Sequence, residues 1–285
     1  PPFEFATDFK RLSGLEYEEA CEFLGVRFGL SLAKGLWDDL YGKTEGNAYL
    51  LTLAANALLK TQDQPKLIKQ LPENRNIERY LLREVDRGLQ ETEQAVLSSL
   101  AIPQSCAATR SAAEAILGFG SIKRSLISLL DRHLLTARME GEEREYIPHA
   151  MLQEFYYDIL TDAEQEAMHR RAGEYYETVK PNLWEATLQF YKAKEYPHAA
   201  ELATADIWAL VNQGQARPLY DLLREFPAKS MSAEQWVKVQ TSTGEVGVIL
   251  GSNKEARCNF DEAISKSIAL PESQQTRMLR ARAYR

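Results

Sequence analysis

Cysteine is scarce in this chain: three residues among 285. Cys21, Cys106 and Cys258 lie too far apart for CxxC or zinc spacing, so no disulfide framework or zinc module is expected and the thiols read as free. No apolar run approaches the ~18 residues that a membrane span needs, and no signal peptide opens the chain. A cytoplasmic protein with no membrane contact is therefore expected. Excess positive charge is lacking too. The formal net charge of −7 argues against nucleic-acid binding by bulk electrostatics. Glycine and proline fall at joints rather than in tracts, so nothing is low-complexity. No Ser/His/Asp or Cys/His order suggests a catalytic set, and the four histidines are too scattered to spell a metal site. The chain also lacks an initiating methionine, and its opening Pro-Pro reads as the cut edge of a longer protein.

A complete phosphate-binding loop is missing as well. Gly42-Lys43-Thr44 looks like the tail of one, but Trp37 stands where the motif needs its first glycine. The preceding Leu36–Tyr41 reads as a helix rather than a buried strand, so the match is expected to be fortuitous. Upstream, Phe3–Phe9 looks extended. Ala20, Phe23 and Leu24 then form an apolar stripe on a helix whose first turn is acidic. Downstream, a turn at Gly46-Asn47 leads into a largely buried helix, with Leu51, Ala55, Leu58 and Leu59 on one face. Ile77–Val85 repeats the helical period. Residues 1–90 thus read as a small helical domain.

The segment 91–162 has a different pattern. Val96, Leu97 and Leu100 stripe a first helix that ends at Ile102-Pro103. Thr109–Leu117 supplies a second, closed by Gly118. Ser121–Leu130 supplies a third, with Ser121 as its expected N-cap. Leu134–Met139 and Arg144–Pro148 alternate around an acidic tip, as a β-hairpin does. Three helices and a wing make a winged helix, a fold often used on DNA. Here Glu140, Glu142, Glu143 and Glu145 on the wing would repel phosphates, and Lys123, Arg124 and Arg132 are too few to offset them, so DNA reading is not expected.

From residue 163 to 285 the pattern is of helical hairpins. Trp184–Tyr191 pairs with His198–Ala203 across Lys194–Pro197, and Ile207–Val211 pairs with Pro218–Leu223 around Gly214. Gly244, Ala256, Phe260 and Ala263 occupy the size-restricted positions of a tetratricopeptide repeat of about 34 residues. Thr276–Arg285 reads as the first helix of a further repeat. An open solenoid end needs a cap, so the native chain is expected to continue. The fold class is mainly α: a helical domain, a winged helix with a short hairpin, and a TPR-like solenoid.

The order of these parts carries more than any one of them. Thr44-Glu-Gly-Asn-Ala48, then Tyr146–Phe155, then His169–Tyr176 and helical repeats together resemble the C-terminal arm of STAND-class signal-transduction ATPases. That group includes bacterial maltose-regulator-like activators and NB-ARC proteins. The resemblance implies a nucleotide-binding core with P-loop and Mg²⁺ site before residue 1, so ADP or ATP with Mg would belong to the full-length protein, and this fragment would not be an enzyme. It implies that Gly46, Asn47 and Ala48 match a Gly-x-Pro turn set against adenine, with Ala48 replacing the proline. It further implies that His149 matches a histidine that touches the β-phosphate of ADP. Read from the residues alone, His149 caps or packs at a strand–helix junction, and both readings stand at this point. The implied partners are the chain's own NTPase core, a protein or small-molecule inducer on the repeats, and other copies on activation. The alternative is a helical-repeat scaffold without nucleotide.

Overall fold

A computed structural model describes residues 14–72, 76–103, 106–118, 120–141 and 143–284. Phe3–Phe9 and Glu142 lie outside the described residues. The described chain contains seventeen α-helices and three short strands, which agrees with a mainly helical class. By contacts these residues divide into two units. One takes those within Pro1–Leu97, Lys123–Ala137 and Pro148–Phe155, and the other those within Ser98–Ile122, Arg138–Ile147 and Tyr156–Arg285. Elements of the 91–162 segment therefore fall in both units.

In the first unit, α1 (Tyr17–Phe28) starts from a capping box in which the Glu16 N–H donates to Glu19 at 3.0 Å, satisfying a donor the first turn leaves open. Its Ala20 and Leu24 are buried. Next, α2 (Lys34–Thr44) carries Gly42-Lys43-Thr44 in its last turn, a helix C-terminus where a phosphate loop needs a strand–loop–helix junction. The Lys43 ammonium donates instead to the carbonyls of Leu71 at 2.6 Å and Ile68 at 3.0 Å. These carbonyls belong to the end of α4 (Gln64–Gln70) and the residue after it. Between them runs α3 (Ala48–Lys60), buried without a break from Leu51 to Leu58. Leu59, expected on its buried face, is 52% exposed. The fully buried run around Ala55 and Leu58 leaves position 59 on the outer edge. Then α5 (Asn76–Arg87) buries Ile77, Leu81, Leu82 and Val85, the stripe its sequence period describes.

Past α6 (Glu91–Ala101), a two-residue β1 (Ala108–Thr109) leads to α7 (Arg110–Leu117), which Thr109 caps and Gly118 closes at φ +75°. The third helix of the segment, α8, spans Lys123–Asp131. It begins one residue later than an N-cap at Ser121 requires. Arg132, counted as a surface cation, is turned inward. Its guanidinium meets Asn56 at 3.2 Å and Glu93 at 3.5 Å, while its carbonyl accepts from Asn56 at 2.9 Å. The hairpin is β2 (Leu135–Glu140) and β3 (Glu143–Pro148), and the strand order is β1–β3–β2. β1 runs antiparallel to β3, with Ala108 opposite Tyr146 and Thr109 opposite Glu145. The acid count along this hairpin overstates its free negative charge: Glu145 pairs with Arg138 at 2.9 Å and Glu143 with Lys180 at 2.5 Å. α9 (Ala150–Asp158) follows directly.

The second unit continues through α10 (Asp162–Thr178), α11 (Leu183–Lys192) and α12 (Tyr196–Ala205). Pro197, expected in the connector, sits in the first turn of α12, where its missing N–H costs nothing. α13 (Ile207–Asn212) and α14 (Ala216–Glu225) turn about Gly214 at φ +81°. α15 (Ala233–Ile249), α16 (Asn253–Ile268) and α17 (Gln274–Tyr284) complete the arm. The size restriction at Gly244 is literal: a Cβ there would lie 2.6 Å from the Phe260 ring. The core runs from Phe190 through Ala199, Leu210 and Leu223 to Val246.

Candidate functional site

The turn between α2 and α3 is built by two successive left-handed residues, Glu45 at φ +49° and Gly46 at φ +70°. Gly46 is obligatory on two counts. A side chain is strained at that φ, and its Cβ would lie 2.1 Å from the Leu15 carbonyl oxygen. Its own carbonyl accepts from the Leu15 N–H at 2.8 Å, so Gly46 holds the chain before α1 against the turn. Asn47 is the N-cap of α3, its Oδ1 accepting from the N–H groups of Tyr49 at 3.0 Å and Leu50 at 3.1 Å. Ala48 is the exposed first residue of the helix.

His149 stands at the end of β3, one residue before α9. Its carbonyl accepts the first helical hydrogen bond, from Gln153 at 2.9 Å, and its Nδ1 accepts from the Met151 N–H at 3.3 Å. The ring lies on Tyr49, with centroids 3.5 Å apart and planes 12° from parallel. Partial burial lowers the imidazole pKa, because desolvation disfavours the cation. Burial and the nearby Glu78 carboxylate raise the Tyr49 phenol.

His149, Gly46, Asn47 and Ala48 all line one open cleft of about 1060 Å³, together with Tyr49 and Glu78. The four residues singled out from sequence are thus brought together across about a hundred positions of the chain. Tyr49 and Arg27, which also line the cleft, escaped sequence reasoning. Tyr49 carries a faint signal, an aromatic one position past the turn on the helix flank that the apolar stripe leaves aside. Arg27 carries none. The cleft therefore offers a flat aromatic pair, an imidazole with one free edge, a helix N-terminus that favours negative charge, and side chains of both signs, Arg27 and Lys43 with Glu45 and Glu78. Among the described residues no three His, Cys, Asp or Glu side chains gather to hold a metal ion.

The remaining histidines are accounted for by packing. His169 bridges Tyr157 and Gln189 within the second unit, His198 contacts Glu177 at 2.9 Å, and His133 meets the edge of Phe28.

Fold and cleft together define a helical arm: a mainly α chain with one small sheet and TPR-like hairpins. No protein-family model matches the chain, and no curated protein is significantly similar in sequence. Among solved structures it is similar to the Signal Transduction ATPase with Numerous Domains (STAND) protein with a tetratricopeptide repeat sensor from Pyrococcus horikoshii. The TM-score is 0.62 at 18% identity, over 90% of this chain and 37% of that one. The chain thus spans little more than a third of that protein and shares the fold of the part it covers. Among the described residues no helix is long and apolar enough to cross a membrane.

Proposed function

We propose that this chain is the regulatory and sensor part of a STAND-type signal-transduction ATPase, coupling nucleotide state to what its helical repeats bind. The observation that carries the reading is the convergence of His149 with Gly46, Asn47 and Ala48 on one cleft. The domains on this reading are 1–90 helical, 91–162 winged helix and 163–285 TPR-like repeats. The repeat arm takes a protein or small-molecule inducer on its concave face. The chain has no hydrolytic role of its own. ADP or ATP with Mg belongs to a nucleotide-binding core outside it, and activation involves other copies.

The residues present fit a nucleotide at its edges. With Nδ1 accepting from Met151, the neutral form of the His149 ring carries its proton on Nε2 and would offer it to a phosphate oxygen. The exposed Ala48 methyl is small enough for a base to approach the turn. His149 would offer its Nε2–H to an anionic oxygen of ADP and so favour the closed arrangement, and exchange for ATP would shift that population by removing the differential contact. Isothermal titration of the complete protein with ADP tests this. Saturable binding, weakened about tenfold or more in His149→Ala by loss of a charge-assisted hydrogen bond, is the expected result. The use of the His149 ring as a cap for α9 favours a second reading, a helical-repeat scaffold without nucleotide. Absence of saturable ADP binding would leave that reading standing.

A further inference from the structure

Tyr49 and His149 meet face to face although Tyr49 belongs to the first turn of α3 and His149 precedes α9. The stack fixes the plane of the imidazole. The Met151 N–H, aimed at Nδ1, fixes its tautomer, since a nitrogen that accepts cannot carry the proton. Among the described residues nothing is hydrogen-bonded to its Nε2. The Tyr49 hydroxyl is buried and makes no hydrogen bond, so what Tyr49 contributes at this contact is its ring face rather than its polar end.

We propose that Tyr49 is the positioning residue for His149: its ring and the Met151 N–H together hold the imidazole as an Nε2–H donor facing an anionic oxygen. The proposal rests on the nucleotide-sensing reading for the identity of that oxygen, and on geometry alone for the positioning. Partial desolvation of the imidazole acts in the same direction, disfavouring its cation. A free imidazole samples both tautomers and rotates about two torsions, so a bond it makes must first stop that motion. A ring already held loses less entropy when it binds.

The test is nitrogen NMR of the whole chain labelled at histidine, with His149 among the four histidines assigned by its disappearance in His149→Ala. The expected wild-type spectrum has His149 as a single Nε2–H tautomer, with its ring protons moved upfield by the Tyr49 face. Tyr49→Phe should reproduce it, because the hydroxyl is unpartnered. Tyr49→Leu should abolish the upfield shift and bring His149 to a mixture of tautomers. A wild-type His149 with mixed tautomers and unshifted protons overturns the proposal, as does a Tyr49→Leu spectrum identical to wild type. Should Tyr49→Leu fail to fold, the wild-type shifts alone decide. None of these readouts uses nucleotide. Failure to bind ADP with the spectra as expected would remove the nucleotide reading and leave the positioning intact.

Discussion

His149 and His169 are both held below the usual imidazole pKa by burial, yet they sit in opposite kinds of surroundings. His169 is 1% exposed and satisfied on both edges: Nε2 meets the Tyr157 hydroxyl at 3.0 Å and Nδ1 meets Gln189 at 2.6 Å. Gln189 in turn donates to Glu185 at 2.7 Å, making a closed buried chain. His149 is satisfied on one edge and lines an open cleft. A histidine with every valence used inside the protein stabilises it. One with a valence left over is available to something else. Titration alone does not separate the two, but the partner count does.

The sharpest way to break the contrast is His169→Ala. It removes a buried ring and leaves Gln189 and Tyr157 without their partner, so a loss of about 3 kcal/mol is expected in denaturant melts. A loss below about 1 kcal/mol would mean the buried chain is not holding the arm. Acid gives a similar loss by a different route. The folded His169 pKa is lowered from 6.5 to about 4, so between those values the unfolded chain binds a proton that the folded one refuses. Its contribution is complete above pH 6.5 and lost as pH falls through about 4, a total of about 3 kcal/mol. Stability measured against pH should show that slope in wild type and not in His169→Gln. The smallest effect belongs to His149→Ala. Only a weak cap and a half-open stack are lost, so stability should fall by about 1 kcal/mol or less. A larger drop would make His149 structural after all.

Much of the architecture is legible along the chain because it is written in local rules. The stripe of α5, the glycine that ends α7 and the small residues where α15 crosses α16 each follow from spacing and side-chain size. The failures share a cause. Leu59 fits an apolar stripe, yet Ala55 and Leu58 leave it outside. Arg132, Glu143 and Glu145 read as surface charge, yet each finds a partner dozens of positions away or across the hairpin. Local spacing does not single out Tyr49 for the same reason: its importance comes from His149, and no local pattern reports a contact that distant. Of the candidate site, the turn at Gly46 and the histidine at the strand end were readable. The aromatic pair that joins them was not.

Asn56 sits two turns along α3 from Tyr49. Its amide nitrogen donates to the Thr52 carbonyl and to the Arg132 carbonyl, both at 2.9 Å, and its oxygen accepts from the Arg132 guanidinium at 3.2 Å. The same guanidinium reaches the Gly88 carbonyl and the Glu93 carboxylate. The end of α8, the loop before α6 and the middle of α3 are thereby pinned at one node, where buried polar groups are costly to unmake. A helix fastened in that way behaves as a beam, with its first turn at the cleft and its anchor at Asn56.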